Sequence, residues 1–275
     1  MIDITLGHTP DSDDAFMFYG LASGKVNSNE FRIAHIIEDI EKLNNRAINH
    51  ELDVTAISVH AYAFLKDYFI LRGGGSFGIN YGPAILSKKK IMPADLSTKT
   101  IAIPGKMTSA HLLLSLFLTS PKIKEMPFHL IPDAIVNNEV DAGVVIHELQ
   151  IAYDQLKLYK ITDLGVWWHT ITNGLPVPLG INVASSKTLT LKQIQDFDTI
   201  FKNSIIYGLN NLEEALNYAM KYARGQTQNI ILKFVKMYVN DITIDMGETG
   251  KKAITKIFKL ATEKHLLSPF PINFA

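Results

Sequence analysis

The sequence predicts an α/β fold with two lobes, and three observations support this prediction. Short apolar or β-branched runs alternate with stretches of helical pattern, the alternation resumes in the middle of the chain, and the last third has the pattern of long helices. With 275 residues, 47% of them hydrophobic, the chain can bury one large core or two modest ones. Since no low-complexity linker separates the lobes, we expect short crossovers between them.

Pairs of a strand and a following helix form the first part of the chain. The predicted pairs are 2–6 with 14–21, 31–36 with 38–48, and 54–57 with 59–65. This alternation is typical of a sheet rich in parallel strands. It resumes with strands at 100–103 and 142–146 and a helix at 109–118. The middle of the chain is therefore predicted to form a second sheet.

The C-terminal third is predicted to be mostly helical. An extended passage at 175–180 leads into a strand at 181–184, and long helical patterns follow it. The predicted helices cover roughly 190–223, 226–239 and 247–264.

Two predicted crossovers, near 88–98 and 173–180, divide the chain into its lobes. They give a discontinuous large lobe, formed by 1–88 and 178–275, and a small lobe formed by 89–177. The ligand cleft is expected between the two lobes.

Composition makes several classes of partner and site unlikely. Lys and Arg together number 27, as do Asp and Glu, so the chain lacks the positive field that nucleic-acid binding needs. The absence of cysteine excludes disulfides, thiolate metal sites and a cysteine nucleophile. Residues 1–6 have a strand-like pattern without an export signal, and apolar runs such as 111–118 are too short to span a membrane. We therefore expect a cytoplasmic protein with no membrane or nucleic-acid partner.

Hydroxyl and acidic residues follow three of the predicted strands. These segments are 8–14, 58–60 and 104–110, and each leads into a predicted helix. In open α/β sheets, ligands bind outside the carboxyl ends of the strands, where helix N-termini present unpaired amides. The alternative is simple helix capping, which stabilises a helix by about 1 kcal/mol relative to alanine. It applies to Ser12, Asp13, Ser58, Thr108 and Ser109. Because the pattern repeats at several strand ends, it favours a polar cleft for an oxygen-rich ligand.

Two familiar motifs are incomplete. Residues 72–78 match the dinucleotide pattern G-x-G-x-x-G, but a turn and a strand are predicted after them where a helix is required. His147-Glu148 resembles the start of a zinc-protease helix, yet position 151 is Ile and not the required second histidine. The sequence therefore predicts neither a nucleotide site nor a metal site.

His147 differs from the other histidines in its position. It directly follows the predicted buried strand 142–146, whose carboxyl end is expected at the cleft. An imidazole can transfer protons near neutral pH, so His147 is a candidate general base. A histidine at a strand end can equally bind the backbone or Glu148, and position alone leaves both interpretations open.

Several long segments carry a family resemblance. They are 7–18, 37–44, Leu71-Arg72-Gly73-Gly74-Gly75, Ile103-Pro104-Gly105 with Thr108, Ile146-His147-Glu148, 163–168, and Leu175-Pro176-Val177-Pro178-Leu179-Gly180. Together they resemble the 1,4-dihydroxy-6-naphthoate synthase family, which acts in menaquinone biosynthesis by the futalosine pathway. The resemblance runs through nearly the whole chain. It implies a two-lobed periplasmic-binding-protein-like (type II) fold with a ligand cleft between the lobes.

The resemblance also implies an activity. Members of the family are lyases that cleave cyclic dehypoxanthinyl futalosine to 1,4-dihydroxy-6-naphthoate without a cofactor, and the histidine matching His147 is the proposed general base. The implied substrate-binding residues are Pro10, Asp14, Ser58, Gly105, Met107, Thr108, Ser109, Leu175 and Pro176. No metal is implied, the small-molecule substrate is the expected partner, and the chain is expected to be a monomer or a homodimer.

The first loop departs from the family pattern. The family commonly has Ser-Pro-Cys-Pro-Asn-Asp, whereas this chain has Thr9-Pro10-Asp11-Ser12-Asp13-Asp14. Pro10 and Asp14 are retained, so the resemblance carries over to these two positions and not to the three between them. His8 is unusual at its position and is a candidate for a second titrating group.

Two other functions share the predicted architecture. A solute-binding protein has the same fold and cleft without catalysis, and the missing export signal argues against it. Chorismate dehydratase is a related enzyme of the same pathway. The segment Ile146-His147-Glu148 and the pair Trp167-Trp168 favour the naphthoate synthase.

Overall fold

The computed structural model divides the chain into two compact units. It describes residues 1–28, 30–223 and 225–275, without the side chains of Ala152 and Asp154. The first unit comprises 1–77, 178–251 and 270–275, and the second comprises 78–177 and 252–269. Each unit contains its own sheet. Of the helices in the described ranges, none has the length and apolar character needed to span a bilayer.

Strands and helices alternate through both units. The strands in the described ranges are β1 (Ile2–His8), β2 (Phe31–Ile37), β3 (Val54–Ser58), β4 (Tyr68–Ile70), β5 (Ser76–Gly78), β6 (Ala84–Ser87), β7 (Thr100–Ile103), β8 (Lys122–Glu125), β9 (Ala142–Val145), β10 (Tyr159–Asp163) and β11 (Val177–Ser185). The α-helices there are α1 (Ser12–Ala22), α2 (Ile40–Ile48), α3 (Val59–Tyr62), α4 (Ser109–Phe117), α5 (Ile131–Val136), α6 (Leu149–Ala152), α7 (Leu164–Ile171), α8 (Leu191–Asn210), α9 (Leu212–Ala219), α10 (Gln228–Tyr238), α11 (Asp241–Ile244) and α12 (Gly247–Glu263).

The sheet of the first unit has parallel strands at one side and antiparallel strands at the other. Its order is β2-β1-β3-β11-β4, and β5 also pairs with β11. β1 is parallel to both β2 and β3, whereas β11 runs antiparallel to β3 and β4. Because β1 and β3 are parallel neighbours, the loops at their carboxyl ends lie at the same edge of the sheet.

Helix α1 provides much of the core of the first unit. All ten residues from Ser12 to Leu21 are buried, and α1 packs against α8, α9 and α10. The rings of Phe18 and Phe201 stack with centroids 4.3 Å apart, and Phe31 meets Phe197 edge to face at 5.8 Å. The first contact joins α1 to α8 and the second joins α8 to β2, so α8 links α1, and the loop that precedes it, to the sheet.

The last residues of the chain cover one edge of the first sheet. Ile70 of β4 donates its N–H to Asn273 O at 2.8 Å and accepts at its carbonyl from Ala275 N at 2.9 Å. Asn273 N also donates to the Tyr62 hydroxyl at 3.0 Å. The edge strand β4 therefore has hydrogen-bond partners on its outer side at Ile70.

The sheet of the second unit has the order β10-β6-β9-β7-β8. β7 is parallel to β8 and β9, whereas β6 is antiparallel to β9 and β10. Buried residues of β6, β9 and α5, among them Leu86, Val145 and Ile135, form a core cluster of this unit. The parallel neighbours β7 and β9 end at the same edge of this sheet.

Most predicted elements are present, with differences at specific positions. The strand at 100–103 has the predicted bounds. The predicted extended passage at 175–180 and strand at 181–184 form the single strand β11 from Val177 onward, and the single helix predicted at 190–223 is wrong. That helix stops after Asn210 because Asn211 has non-helical dihedral angles (φ −124°, ψ 52°), and α9 begins at Leu212.

The predicted lobes, 1–88 with 178–275 and 89–177, stay a prediction about domain boundaries. The compact units differ from these lobes at 78–88 and at 252–269, both of which lie in the second unit. The reason at 78–88 is that β6 pairs with β9 and β10 and so belongs to the second sheet.

Candidate active site

Asp14 holds the loop that follows β1. Thr9 donates from its backbone N–H and from its hydroxyl to Asp14 Oδ2, each at 2.8 Å. Burial raises the pKa of Asp14 to about 6, the charge of Asp11 adds to the rise, and the two bonds from Thr9 oppose it. Pro10 lies half-buried within this loop. The structure therefore places both predicted residues, Pro10 and Asp14, in one turn that the two bonds from Thr9 to Asp14 stabilise.

His8 lies buried at the end of β1. Its ring stacks on Phe18 with centroids 4.8 Å apart, its Nδ1 lies 3.2 Å from Thr9 O, and its Nε2 lies 3.3 Å from Nδ1 of His35. Burial lowers the pKa of His8 to about 4, and the bond to Thr9 opposes this shift. Burial also lowers the pKa of His35. His8 is thus a neutral imidazole at neutral pH.

Ser58 follows β3 and depends on a residue that the sequence analysis did not single out. The fully buried Asn44 of α2 accepts from Ser58 N at 2.8 Å and donates to Ser58 Oγ at 3.2 Å. Ser58 occupies the N-cap position of α3, but its side chain makes no capping bond there. Asn44 is the last residue of the segment 37–44. A polar amide on the buried face of an amphipathic helix was the sequence signal that could have identified it.

The loop after β7 contains four of the predicted residues. Gly105 has a φ of 152°, which favours glycine, and its carbonyl accepts from the Thr108 hydroxyl at 2.7 Å. Thr108 Oγ1 in turn accepts from His111 N at 3.3 Å and so caps α4. Ser109 is buried at the first position of α4, and Met107 is half-buried. For Thr108, the capping interpretation is therefore correct.

Two further side chains fix the same loop at Lys106. His111 Nδ1 lies 2.8 Å from Lys106 O and donates to it, because a carbonyl oxygen can only accept. Lys106 N donates to Glu125 Oε1 at 3.2 Å. Sequence reasoning did not find His111 and Glu125 as partners, because Glu125 is 19 residues away from Lys106.

His147 lies just beyond β9 in a strained backbone conformation. Its φ is 61°, in the left-handed region that few non-glycine residues adopt. Its half-buried ring meets the ring of Phe128 edge to face, with centroids 4.7 Å apart. Gln150 N donates to His147 O at 3.0 Å and starts the turn into α6. Such strained residues cluster at functional sites, where the surrounding structure holds them in place.

The passage before β11 is anchored by a tryptophan. Trp168 is fully buried, and its Nε1 donates to Pro176 O at 3.0 Å. Pro176 is buried, and Leu175 is half-buried. The structure therefore assigns Pro176 a packing role through its carbonyl, and its predicted substrate contact stays a prediction.

The glycine-rich segment 72–78 is held by structural bonds. Gly73 N donates to Asp198 Oδ1 at 2.8 Å, and Asn182 Nδ2 donates to Gly74 O at 2.9 Å. β5 lies at the end of the segment, and β6 is the next element in the chain. Within the described ranges, His, Asp and Glu side chains form no group of three or more that could hold a metal ion.

Sheet topology gathers the predicted residues, except Leu175 and Pro176, into one group in each unit. In the first unit, Pro10 and Asp14 follow β1 and Ser58 ends β3, the parallel neighbour of β1. In the second unit, the loop with Thr108 follows β7 and His147 follows β9, which pairs with β7 in parallel. Hydroxyl groups, helix-start amides and an imidazole therefore share the carboxyl edge of the second sheet. Such a set can hold an anionic or hydroxylated ligand and transfer a proton.

Comparison with known sequences agrees with this chemistry. A family model described as menaquinone biosynthesis matches residues 4–263. A 1,4-dihydroxy-6-naphthoate synthase from Thermus thermophilus is 34% identical over 98% of this chain and 97% of its own length. The enzyme of the same name from Streptomyces coelicolor is 31% identical over 96% of this chain and 94% of its own length.

Several solved structures have the same fold as this chain. A crystal structure of a protein from Archaeoglobus fulgidus has a TM-score of 0.92 and 44% identity, and the match covers 96% of this chain and 98% of that one. The ligand-binding component of an ABC-type import system from Staphylococcus aureus, solved with zinc bound, has a TM-score of 0.73 at 14% identity, over 99% of this chain and 94% of that one. The periplasmic aliphatic sulphonate binding protein of Escherichia coli has a TM-score of 0.67 at 15% identity, over 98% of this chain and 94% of that one.

The last two structures show the fold alone, and they confirm the predicted periplasmic-binding-protein-like α/β fold. The family model and the two curated relatives reach beyond the fold, because they match nearly the full length of the chain. The chain therefore belongs to the menaquinone-biosynthesis enzyme family that includes the 1,4-dihydroxy-6-naphthoate synthases.

Proposed function

We propose that this chain is a lyase of the futalosine pathway that cleaves cyclic dehypoxanthinyl futalosine to 1,4-dihydroxy-6-naphthoate without a cofactor. The names of the two curated relatives support the product. The observation that carries the proposal is the position of His147, a half-buried residue with a strained backbone after β9, the parallel neighbour of the strand that leads into the loop with Thr108.

In the proposed reaction, His147 is the general base. Its imidazole removes a carbon-bound proton of the substrate, the electron pair expels the leaving group, and formation of the aromatic bicycle drives the elimination. The backbone at φ 61° turns the chain away from the direction of β9 at this residue. The ring of Phe128 limits the rotation of the imidazole. Both features hold the base in one orientation, which lowers the entropic part of the barrier.

The oxygen atoms of the substrate are proposed to bind at the strand ends. At the start of α4, backbone amides and the Ser109 hydroxyl suit a carboxylate or a hydroxyl group. Gly105 and Met107 belong to the same loop, whose shape is fixed by the Thr108–Gly105 bond. In the first unit, the proposed substrate contacts are Pro10, Asp14 and Ser58. Leu175 and Pro176 are also proposed to contact the substrate.

Other properties remain predictions from the sequence. They are the cytoplasmic location, the monomeric or homodimeric state, and the substrate as the partner, with no membrane or nucleic acid.

Turnover by the purified protein tests the proposal. Wild-type protein is expected to convert cyclic dehypoxanthinyl futalosine to the naphthoate without added cofactor, as followed by chromatography with mass detection. His147→Ala is expected to bind the substrate, measured by calorimetry, while kcat falls by about 10²- to 10⁴-fold through loss of the base.

The matched control is His265→Ala. His265 also has a left-handed backbone, with φ 57°, but it is exposed beyond the end of α12. Its replacement introduces the same backbone strain and should leave kcat unchanged. Absence of product from wild-type protein would contradict the lyase assignment, and dehydration of chorismate would identify the related enzyme instead. Tight ligand binding without any turnover would identify a solute-binding protein.

A further inference from the structure

We infer that His35, acting through His8, is a positioning residue that fixes the Thr9–Pro10 peptide of the first loop. This inference rests on the proposed function, in which that loop contacts the substrate through Pro10 and Asp14. The two histidines lie on neighbouring parallel strands, β2 and β1. Neither takes part in the proposed proton transfer at His147.

The geometry determines which ring nitrogens carry hydrogen. Thr9 O can only accept, so His8 Nδ1, 3.2 Å away, is the protonated nitrogen. Since His8 is neutral, its Nε2 has a lone pair and accepts from His35 Nδ1 at 3.3 Å. Both rings are therefore Nδ1–H tautomers. The bonds run in one direction, from His35 to His8 to the Thr9 carbonyl.

Every polar group of Thr9 is then bound by a side chain. Its N–H and its hydroxyl donate to Asp14, and its carbonyl accepts from His8. The next residue, Pro10, has a fixed φ and no N–H. Because the carbonyl fixes the plane of the Thr9–Pro10 peptide, the direction in which the loop leaves β1 depends on the His8 ring.

The His8 ring is itself held from two sides. Phe18 stacks on its face at 4.8 Å, and His35 meets it edge to face with centroids 5.4 Å apart. Stacking alone permits a 180° flip of the ring about the Cβ–Cγ bond, which would exchange Nδ1 with Cδ2, whereas the bond from His35 to Nε2 selects one of the two settings. His35 therefore decides whether Nδ1 or Cδ2 of His8 faces Thr9.

Steady-state kinetics of variants at position 35 provides the first test. His35→Leu removes the donor, and we expect KM to rise about five- to tenfold, the equivalent of one hydrogen bond, with little change in kcat. His35→Asn keeps an N–H donor close to the position of Nδ1 and should retain KM within about twofold. The control is Arg32→Leu on the same strand, which removes the exposed ion pair with Asp3 and should leave KM unchanged.

A double-variant cycle separates positioning from general damage. His8→Phe keeps the stacking on Phe18 and loses both hydrogen bonds, so it should raise KM at least as much as His35→Leu does. The variant His8→Phe/His35→Leu should then have the KM of His8→Phe alone, because His35 acts only through His8. Additive effects would overturn the inference. A wild-type KM in His35→Leu would overturn it as well.

Nitrogen NMR tests the geometry independently of turnover. Long-range ¹H–¹⁵N spectra of wild-type protein at pH 7 should show the Nδ1–H tautomer for both His8 and His35, and the His8 signals should change in His35→Leu. An Nε2–H tautomer at either ring would contradict the inferred direction of the bonds. If the wild-type protein had no turnover while both Nδ1–H tautomers were present, the proposed function would fail. The affinity of His35→Leu for cyclic dehypoxanthinyl futalosine, measured by calorimetry, would then test the inference: a weaker affinity than that of wild type would support it, and an unchanged affinity would overturn it.

Discussion

Two buried groups beside Thr9 have opposite effects on how stability depends on pH. The pKa of His8 is lowered to about 4, so the unfolded state binds the proton first, and stability from this group is lost as the pH falls from 6.5 towards 4. The pKa of Asp14 is raised to about 6, so the folded state binds the proton first, and stability is gained as the pH falls from about 6 towards 4. The two contributions nearly cancel between pH 4 and pH 6.

Removing one of these groups should reveal the other. Relative to wild type, Asp14→Asn is expected to lose stability as the pH falls from 7 to 4, because only the His8 contribution remains. His8→Phe is expected to gain stability over the same range. Each difference should be on the order of 2–3 kcal/mol across the range, since one pKa unit corresponds to about 1.4 kcal/mol.

Urea unfolding at pH 4, 5, 6 and 7 measures both slopes. Parallel curves for wild type and the two variants would show that these groups do not titrate as their burial implies. The double variant Asp14→Asn/His8→Phe serves as the control, and it should again follow the wild-type slope.

At the residue scale, the sequence predicted which strand ends carry the candidate residues better than how each residue is held. Thr108 and His147 were singled out because His147 directly follows an apolar strand pattern and Thr108 lies in the loop after another. Asn44 and Phe128 were not found. Their partners, Ser58 and His147, are 14 and 19 residues away, and no periodic pattern encodes such a contact. The position of His147 in the sequence also did not distinguish a general base from a structural histidine.

The start of α4 shows how one element can combine capping with a proposed binding role. Thr108 Oγ1 donates to Gly105 O and accepts from His111 N, so its hydroxyl links the loop to the helix. Thr108→Val should therefore cost about 1 kcal/mol in the free energy of unfolding, through loss of the cap. Thr108→Ser keeps the hydroxyl and should retain both stability and KM.

Thermal unfolding and steady-state kinetics of the two variants check this prediction. A threonine of the same unit with a different role is Thr98, whose hydroxyl donates to Asp95 O at an exposed position. Thr98→Val should change stability by no more than about 0.5 kcal/mol. If both valine variants lost the same free energy of unfolding, the bonds of Thr108 would contribute no more to stability than an exposed threonine does.

Among the elements, regular strands and helix starts were the most predictable features. The strand Thr100–Ile103 has a β-branched start, an apolar centre and a Pro-Gly stop, and its bounds agree with the prediction. The break at Asn211 was missed because the helical pattern continues on both sides of it. There the Asn211 side chain and its backbone N–H both donate to Tyr207 O, and this local side-chain bond at the helix end is not revealed by propensity.

At the scale of the whole molecule, the fold class follows from the pattern of elements, whereas the unit boundaries depend on strand pairing. β6 has the same apolar pattern as strands of the first sheet, and only its pairing with β9 and β10 assigns it to the second. Residues 252–269 belong to the second unit although the sequence around them belongs to the first. Neither assignment is a property of the local sequence.

Deletion of residues 273–275 tests whether the end of the chain protects the edge strand β4. The deletion removes the outer partners of Ile70 and the Asn273 N–H that donates to the Tyr62 hydroxyl, so we expect lower stability, by about 1–3 kcal/mol, and more self-association through the exposed edge. Urea unfolding and light scattering measure the two effects. Replacement of Asn273 and Phe274 by alanine, beside the native Ala275, keeps the backbone bonds and should retain most of the stability. An unchanged truncated protein would show that the edge needs no cover.

The discontinuity of both units has a consequence for synthesis on the ribosome. The first unit is completed only by residues 270–275, and the second only by 252–269. When the first 251 residues have been made, both units still lack a segment. Neither unit can reach its final form until these late segments have left the ribosome, and until then the growing chain exposes the surfaces that they cover.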